Sequence, residues 1–249
     1  MTTSLHVERA AFAHIQDLGR PGFAAIGVGA NGAGDQQSTR LANALVGNAS
    51  TAPLIEVVAS QFEATARGDL LMAVCGAVTE VGINGYRWPA GQPIAVPAGA
   101  RITLNAPELG TRSYLAINGS IAAERALGSV APDPLLGFGR VLHPGDDIEV
   151  DTLFHASDVL AMPLFRVTAP TVRLSPQVAL LATRGPDMHR LAGGEPALSV
   201  AFEMTAQSDY IGVRLVGGDL ALGVRDEILS RGVPVGAVEV PPSGELIML

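Results

Sequence analysis

Leu70-Leu71-Met72-Ala73-Val74-Cys75-Gly76-Ala77-Val78-Thr79-Glu80-Val81-Gly82-Ile83-Asn84-Gly85-Tyr86 sets the pattern for the whole chain. It reads as a buried apolar strand over Leu70–Val74, a second strand over Val78–Ile83, and a two-residue Asn-Gly turn that reverses the chain. The same pattern recurs at Pro93–Val96, Arg101–Leu104, Ser113–Ile117, Asp147–Val150, Thr171–Leu174, Val178–Leu181, Gly212–Leu215 and Glu245–Leu249. Pro97-Ala98-Gly99, Pro144-Gly145-Asp146 and Pro242-Ser243-Gly244 supply turns between these runs. With 29 Gly and 17 Pro breaking up short apolar segments, the chain reads as mostly β and barrel-like, with few short helices.

The best helix is Gln36–Val46, with Leu41, Leu45 and Val46 on one face and Gly47-Asn48 as its stop. Asp35 stands at the N-cap position, where a carboxylate accepts free N–H groups of the first turn; a direct functional role for Asp35 stays equally open. A weaker helical stretch is Pro186–Leu191. Residues around Asp151–Pro163 follow no clean period and read as a linker, which divides the chain into domains 1–155 and 156–249.

Composition excludes several function classes. The formal net charge is −8 and aromatic content is 4%, which argues against a nucleic-acid partner needing clustered cations or stacking platforms. There is no apolar run long enough to span a membrane and no signal-peptide core near the N-terminus, so a soluble cytoplasmic protein is expected. The single cysteine, Cys75, rules out an intrachain disulfide and fits a reducing compartment. It reads as a core residue of its strand, with a nucleophilic role as the alternative. His6, His14, His143, His155 and His189 lack metal-ligand spacing, so no metal is expected. All 16 basic residues are Arg, which excludes a P-loop lysine and a lysine Schiff base. No Gly-x-Ser-x-Gly elbow is present.

Gln16-Asp17-Leu18-Gly19-Arg20-Pro21-Gly22-Phe23 reads as a tight turn that fixes Asp17 and Arg20, since Gly19 and Gly22 tolerate positive φ and Pro21 fixes its own. Other motifs follow in order: Gly27-Val28, Asn31-Gly32-Ala33-Gly34-Asp35, Arg40 to Asn48, Leu54-Ile55-Glu56, Cys75-Gly76-Ala77, Tyr114-Leu115-Ala116, Leu127-Gly128-Ser129, Pro144-Gly145-Asp146, Gly185-Pro186, Ser208-Asp209, Gly212 to Leu215, and Gly236 to Gly244. This ordered series resembles the large subunit of bacterial 5-oxoprolinase and allophanate hydrolase assemblies, the KipA-like or biotin-dependent carboxyltransferase-like family. The resemblance runs from about residue 5 to the last residue.

The resemblance implies tandem cyclophilin-like β-barrel domains. It also implies that the chain is active only in complex, paired with a KipI-like small subunit, with a LamB/YcsF-like protein as an optional third member. The implied activity is ATP-dependent opening or hydrolysis of a small cyclic or linear amide. Two alternatives stand beside it. One is a biotin-dependent carboxyltransferase subunit of the urea carboxylase type; the other is a non-catalytic partner that binds the kinase-inhibitor-like protein. ATP is expected for the complex, with its site open to another subunit, and biotin is the cofactor of the first alternative.

Among polar residues inside the matching motifs, Asp17, Arg20 and Glu56 are the expected catalytic groups. Asp35, Arg40, Asn43, Tyr114, Ser208 and Arg214 are the expected substrate-binding groups. Arg20, Arg40 and Arg214 suit an anionic substrate or an acyl phosphate, and Tyr114 offers an amphipathic wall and one hydroxyl. Glu56 and Arg40 read equally as members of Arg–Glu pairs that hold strands together. Some positions depart from the family pattern. Val130 and Tyr210 stand where Arg is usual, Glu239 replaces Gln, Asn31 replaces Ser, Gly34 replaces Met, and Pro132 and Pro134 replace Thr. Family members also continue beyond the position of Leu249. The two lost Arg, at Val130 and Tyr210, and the new acid, Glu239, imply weaker anion binding at those points.

Overall fold

A computed structural model describes residues 2–78, 80–152, 154, 175–209, 211–223, 229 and 231–249. The chain forms two compact units, residues 1–177 and 178–249. The expected boundary between residues 155 and 156 lies outside the described residues, as do the expected strand Thr171–Leu174 and Tyr210.

The first unit holds two antiparallel sheets. The larger has seven strands: β1 (Thr2–Ala10), β4 (Phe62–Ala66), β6 (Glu80–Ile83), β7 (Tyr86–Pro89), β9 (Arg101–Leu104), β11 (Ser120–Ile121) and β12 (Asp147–Asp151), in the order β11-β12-β1-β4-β9-β6-β7. The smaller has five: β2 (Ala13–Gln16), β3 (Leu54–Val58), β5 (Leu70–Gly76), β8 (Ile94–Val96) and β10 (Arg112–Ile117), in the order β2-β3-β10-β5-β8. The Asn84-Gly85 turn forms as its sequence dictates. Both residues take positive φ, 50° and 83°, and Ile83 pairs with Tyr86, the geometry that matches strand twist in a tight hairpin. Strand β6 starts at Glu80; Val78 precedes it, buried, with its N–H donated to Ser113 Oγ at 3.2 Å.

Period-two alternation splits each strand of the five-stranded sheet between two environments. Ile55 and Val57 of β3, Met72 and Val74 of β5, and Leu115 and Ile117 of β10 join Leu5, Val7, Phe62, Val81, Ile102 and Ile148 of the other sheet in the main core. The residues between them point the other way. Leu54, Ala73, Cys75, Tyr114 and Ala116 form a second cluster with Ala42 and Val46, under helix α1 (Gln36–Leu45). Asp35 caps that helix, accepting the Ser38 N–H at 2.9 Å. Glu56 belongs to the same helix-facing side, and this places a carboxylate where it has no water.

The second unit carries a four-stranded antiparallel sheet of β13 (Glu203–Met204), β14 (Val213–Val216), β15 (Val238–Glu239) and β16 (Leu246–Met248), in the order β13-β14-β16-β15. Val178–Leu181, expected as a strand, pairs with no strand among the described residues, and Leu181 is fully exposed. An apolar run left exposed to solvent does not become a strand, because strand preference is mostly packing against neighbours. The Pro186–Leu191 stretch makes a short 3-10 turn, Met188–Arg190, and a second such turn, Glu195–Leu198, carries Pro196 as its second residue. Among the described residues no helix is long and apolar enough to cross a membrane.

Candidate functional site

Two loops of the ordered motif series interlock, backbone against backbone. Gly19 takes φ 87°, and a Cβ there would lie 2.4 Å from Ala30 O; Gly32 takes φ 96°, and a Cβ there would lie 2.6 Å from the Leu18 carbonyl carbon. No side chain fits at either position, so each loop closes on the other's glycine. The Arg20 N–H donates to Ala30 O at 2.7 Å, and the Ala33 N–H to Asp17 O at 2.9 Å.

Asp17 and Arg20 then fasten this double loop to the segment after β11. Asp17 Oδ1 accepts from the Gly19 N–H at 2.8 Å and the Ser129 hydroxyl at 2.5 Å, and Oδ2 from the Val130 N–H at 2.9 Å. The Arg20 guanidinium is buried. It donates through Nε to Ala126 O at 3.2 Å and through Nη2 to Ala131 O. Its Nη1 lies 3.9 Å from Asp133 Oδ2, and its plane sits 5.6 Å from the Phe138 ring centre. Asp133 Oδ2 also accepts from Asn31 Nδ2 at 2.7 Å. A rigid fork of donors aimed at carbonyl groups is a positioning device, and a carboxylate with its lone pairs occupied by N–H and O–H donors is another. Beside the turn lies a groove of about 440 Å³, lined by Asp17, Gly19, Asn48, Thr51, Ser120 and Arg125 among others. Arg125 Nη1 stands 3.7 Å from Asp17 Oδ2.

The second cluster of chemistry lies on the helix-facing side of the five-stranded sheet. His14, Glu56, Tyr114 and Cys75 are consecutive cross-strand neighbours, because the register pairs His14 with Glu56, Glu56 with Tyr114 and Tyr114 with Cys75. Glu56 is fully buried; its Oε1 is 3.3 Å from His14 Nε2 and 3.6 Å from Arg112 Nε. The Tyr114 hydroxyl accepts the Asp35 N–H at 2.8 Å. Its own ionisation is pushed strongly up, first by burial and then by the Glu56 charge. Burial, with the Asp35 charge second, pushes the Cys75 thiol up to about 12. A thiol held so far from its thiolate is a core residue, the packing reading of Cys75.

The remaining sequence candidates are placed elsewhere. Arg40 is exposed on α1 and donates to Gln36 O at 3.3 Å, away from Glu56, whose guanidinium neighbour is Arg112 instead. Asn43 is buried and donates to Ala52 O at 2.9 Å, tying α1 to the loop before β3. Ser208 and Arg214 belong to the second unit. The Ser208 hydroxyl accepts the Arg214 N–H at 2.9 Å and closes the turn between β13 and β14. Next to it, N–H groups of Gly212 and Ile211 hold the Asp209 carboxyl below its ordinary range. Arg214 Nη1 reaches Glu245 Oε2 at 3.8 Å. His14, Arg112, Asp133 and Arg125 were not singled out by the sequence. His14 and Arg112 join Glu56 only through strand register, whereas Ser129 was visible inside the Leu127-Gly128-Ser129 motif.

Residues 26–249 match the family model "Carboxyltransferase domain, subdomain A and B". The chain is 31% identical to a 5-oxoprolinase subunit from Escherichia coli (strain K12) over 94% of its own length and 75% of that protein's. It is 31% identical to the urea amidolyase of Lachancea kluyveri, over 83% of this chain and 12% of that one. In structure it is similar to the crystal structure of TTHA0988, with TM-score 0.77 and 32% identity over 99% of this chain, while spanning 48% of TTHA0988. The fold also matches the Kluyveromyces lactis urea carboxylase, with TM-score 0.78 over 99% of this chain and 24% of that one. The chain belongs to the carboxyltransferase-domain family, together with this 5-oxoprolinase subunit and its Haemophilus influenzae counterpart.

Proposed function

We propose that this chain is the large subunit of an ATP-dependent 5-oxoprolinase-type, allophanate hydrolase-like complex acting on a small cyclic or linear amide. The observation that carries the reading is the 31% identity to a 5-oxoprolinase subunit across nearly the whole chain. In this reading two further proteins, a KipI-like small subunit and a LamB/YcsF-like third one, make up the rest of the enzyme. The chain has no lysine, so a lysine cradle for ATP phosphates would have to come from one of those partners. The work of this subunit is to hold the amide and stabilise the oxyanion that forms at its carbonyl; guanidinium and backbone N–H groups are suited to that charge. The test is 5-oxoproline-dependent ATP hydrolysis by the chain co-expressed with both partners. Glutamate formed in step with ADP supports the reading, and a stable complex that turns over nothing overturns it in favour of a non-catalytic binding role.

The family description and the similarity to urea amidolyase favour a second reading, a biotin-dependent carboxyltransferase subunit of the urea carboxylase type. It predicts that the intact complex binds biotin or a biotinylated carrier. Calorimetry with free biotin separates the two, because a hydrolase of the first kind gives no heat of binding.

A further inference from the structure

We propose that the groove beside the motif turn is a binding site for a small carboxylate, and that Arg125 is the residue that recognises it.

Four segments of the first unit wall the groove: the motif turn at residues 17–19, the loop from α1 to β3, the β10–β11 turn at Gly119, and the segment after β11 that carries Arg125 and Gly128. Hydrogen bonds staple these walls in pairs. Asn48 Nδ2 donates to Ile117 O at 2.8 Å, and Asn48 Oδ1 accepts the Gly119 N–H at 2.9 Å, so the loop after α1 is tied to the β10–β11 turn. Asp17 ties the motif turn to the segment after β11 through the Ser129 hydroxyl and the Val130 N–H. Gly119 is seated on β12 as well: its φ is 108°, and a Cβ there would lie 2.1 Å from Asp151 O. Walls fixed in this way need little ordering when a ligand enters. The volume of about 440 Å³ lies within the roughly 300–1,000 Å³ of small-molecule sites.

Arg125 is the one cation among the lining residues, and Asp17 the one anion. Arg125 Nη1 donates to Gly128 O at 3.0 Å and stands 3.7 Å from Asp17 Oδ2, which holds the guanidinium from one side. Its Nε and Nη2 hydrogen-bond to none of the described residues, and the side chain is 46% exposed. Those two nitrogens form one edge of the fork, and such an edge takes both oxygens of a carboxylate. Asp17 does not cancel it. Its oxygens already accept from Gly19, Ser129 and Val130. A carboxylate on the Nε–Nη2 edge also lies nearer to the guanidinium than to Asp17, so attraction is the larger Coulomb term. Thr51 and Ser120, both exposed and both lining the groove, have hydroxyls that bond to none of the described residues. They supply a donor or acceptor for the rest of the ligand.

The test is nuclear magnetic resonance of the full chain, read at the Arg125 Nε–H and at the backbone N–H groups of Gly119 and Gly128. Arg125 is assigned by its absence in Arg125→Lys. The probes are acetate, 5-oxoproline and the uncharged counterpart of the latter, 2-pyrrolidinone. The expected result is a saturable shift at all three groups with a carboxylate, and at least about tenfold weaker binding of 2-pyrrolidinone. Arg125→Lys keeps the charge and loses the fork, so the glycine shifts should need about tenfold more ligand. Thr51→Trp fills the groove and leaves Arg125 in place, so it should abolish the shifts; melting temperatures near that of the parent confirm that both variants fold. The choice of 5-oxoproline rests on the function proposed above, but the carboxylate site does not. Shifts with acetate and none with 5-oxoproline uphold the site, and the turnover assay judges the oxoprolinase reading separately. No shift with either carboxylate overturns the site. Shifts that survive Thr51→Trp reduce Arg125 to an exposed surface cation and overturn the groove as its setting, and equal binding of 5-oxoproline and 2-pyrrolidinone overturns the recognition of a carboxylate.

Discussion

Asp17 and Ser129, separated by 112 positions in sequence, share a hydrogen bond of 2.5 Å between carboxylate and hydroxyl. With the Val130 N–H on the other oxygen, this closes the segment after β11 over the motif turn and makes one unit of the N-terminal loops and residues 126–138.

Removing the carboxylate leaves three donors, on Gly19, Ser129 and Val130, without their acceptor. Asp17→Ala is therefore expected to cost about 3 kcal/mol of stability, in line with losing hydrogen bonds to a buried charged group. Urea unfolding of the parent and the variant measures this. A change below about 0.5 kcal/mol, the range of ordinary surface substitutions, would show that the fastening contributes little.

The interlocked glycines make a sharper contrast. Gly19 and Gly22 both have positive φ, 87° and 101°, yet a Cβ at Gly22 would meet nothing within 4 Å while one at Gly19 meets backbone oxygen. Gly22→Ala should cost about 1 kcal/mol for conformation alone. Gly19→Ala and Gly32→Ala add a backbone clash that no side-chain movement relieves, and the expected outcome is loss of soluble folded protein. Equal melting temperatures for Gly19→Ala and Gly22→Ala would contradict the interlock.

The thiol of Cys75 is pushed from 9.0 up to about 12 in the folded chain. Below pH 9 the thiol is protonated in both folded and unfolded states and stability is unaffected. Between about 9 and about 12 the unfolded chain loses its proton and the folded chain does not, so stability falls as pH rises through that window. Tyr114, also raised, adds to the same trend at its alkaline end. An aromatic disulfide reagent at about pH 8 should leave the native thiol unmodified and should react with it promptly in denaturant. Rapid modification of the native chain would show that the helix-facing cluster opens readily.

Arg40 and Glu56 separate cleanly as targets. Arg40 is exposed and bonded only to its own helix in the contacts described above, so Arg40→Ala should change stability by less than about 0.5 kcal/mol. Glu56→Ala removes a fully buried charge from between His14 and Arg112 and should cost about 3–5 kcal/mol. Glu56→Gln keeps the shape and should cost less. Thermal melts of the three variants rank these effects, and an Arg40→Ala loss as large as that of Glu56→Ala would reverse the assignment.

Local signals are legible wherever the physics is local. The Asn84-Gly85 hairpin, the Asp35 cap and the alternation in β3, β5 and β10 all follow from neighbouring residues and take the form those residues dictate. Val178–Leu181 departs from its expected strand because an apolar run does not announce whether neighbours will cover it, and here all four residues are exposed. In the candidate site, Glu56 and Tyr114 lie inside recognisable motifs, but His14 and Arg112 meet them through strand register. That is a relation between positions up to 98 residues apart, His14 to Arg112, and no local pattern encodes it. Asp17 and Arg20 stand out as chemistry-bearing residues, whereas the backbone groups they serve, at Ala126, Val130 and Ala131, carry no side-chain signature at all.

The interlocked glycines bear on how the family is recognised. The signature sequence around Gly19 and Gly32 is a latch between two loops, and a latch is indifferent to what the room behind it is used for. Lineages that put this domain to different uses would be expected to keep the latch and to remodel the furniture around Glu56. Differences in use should therefore be sought on the helix-facing side of the five-stranded sheet rather than at the latch.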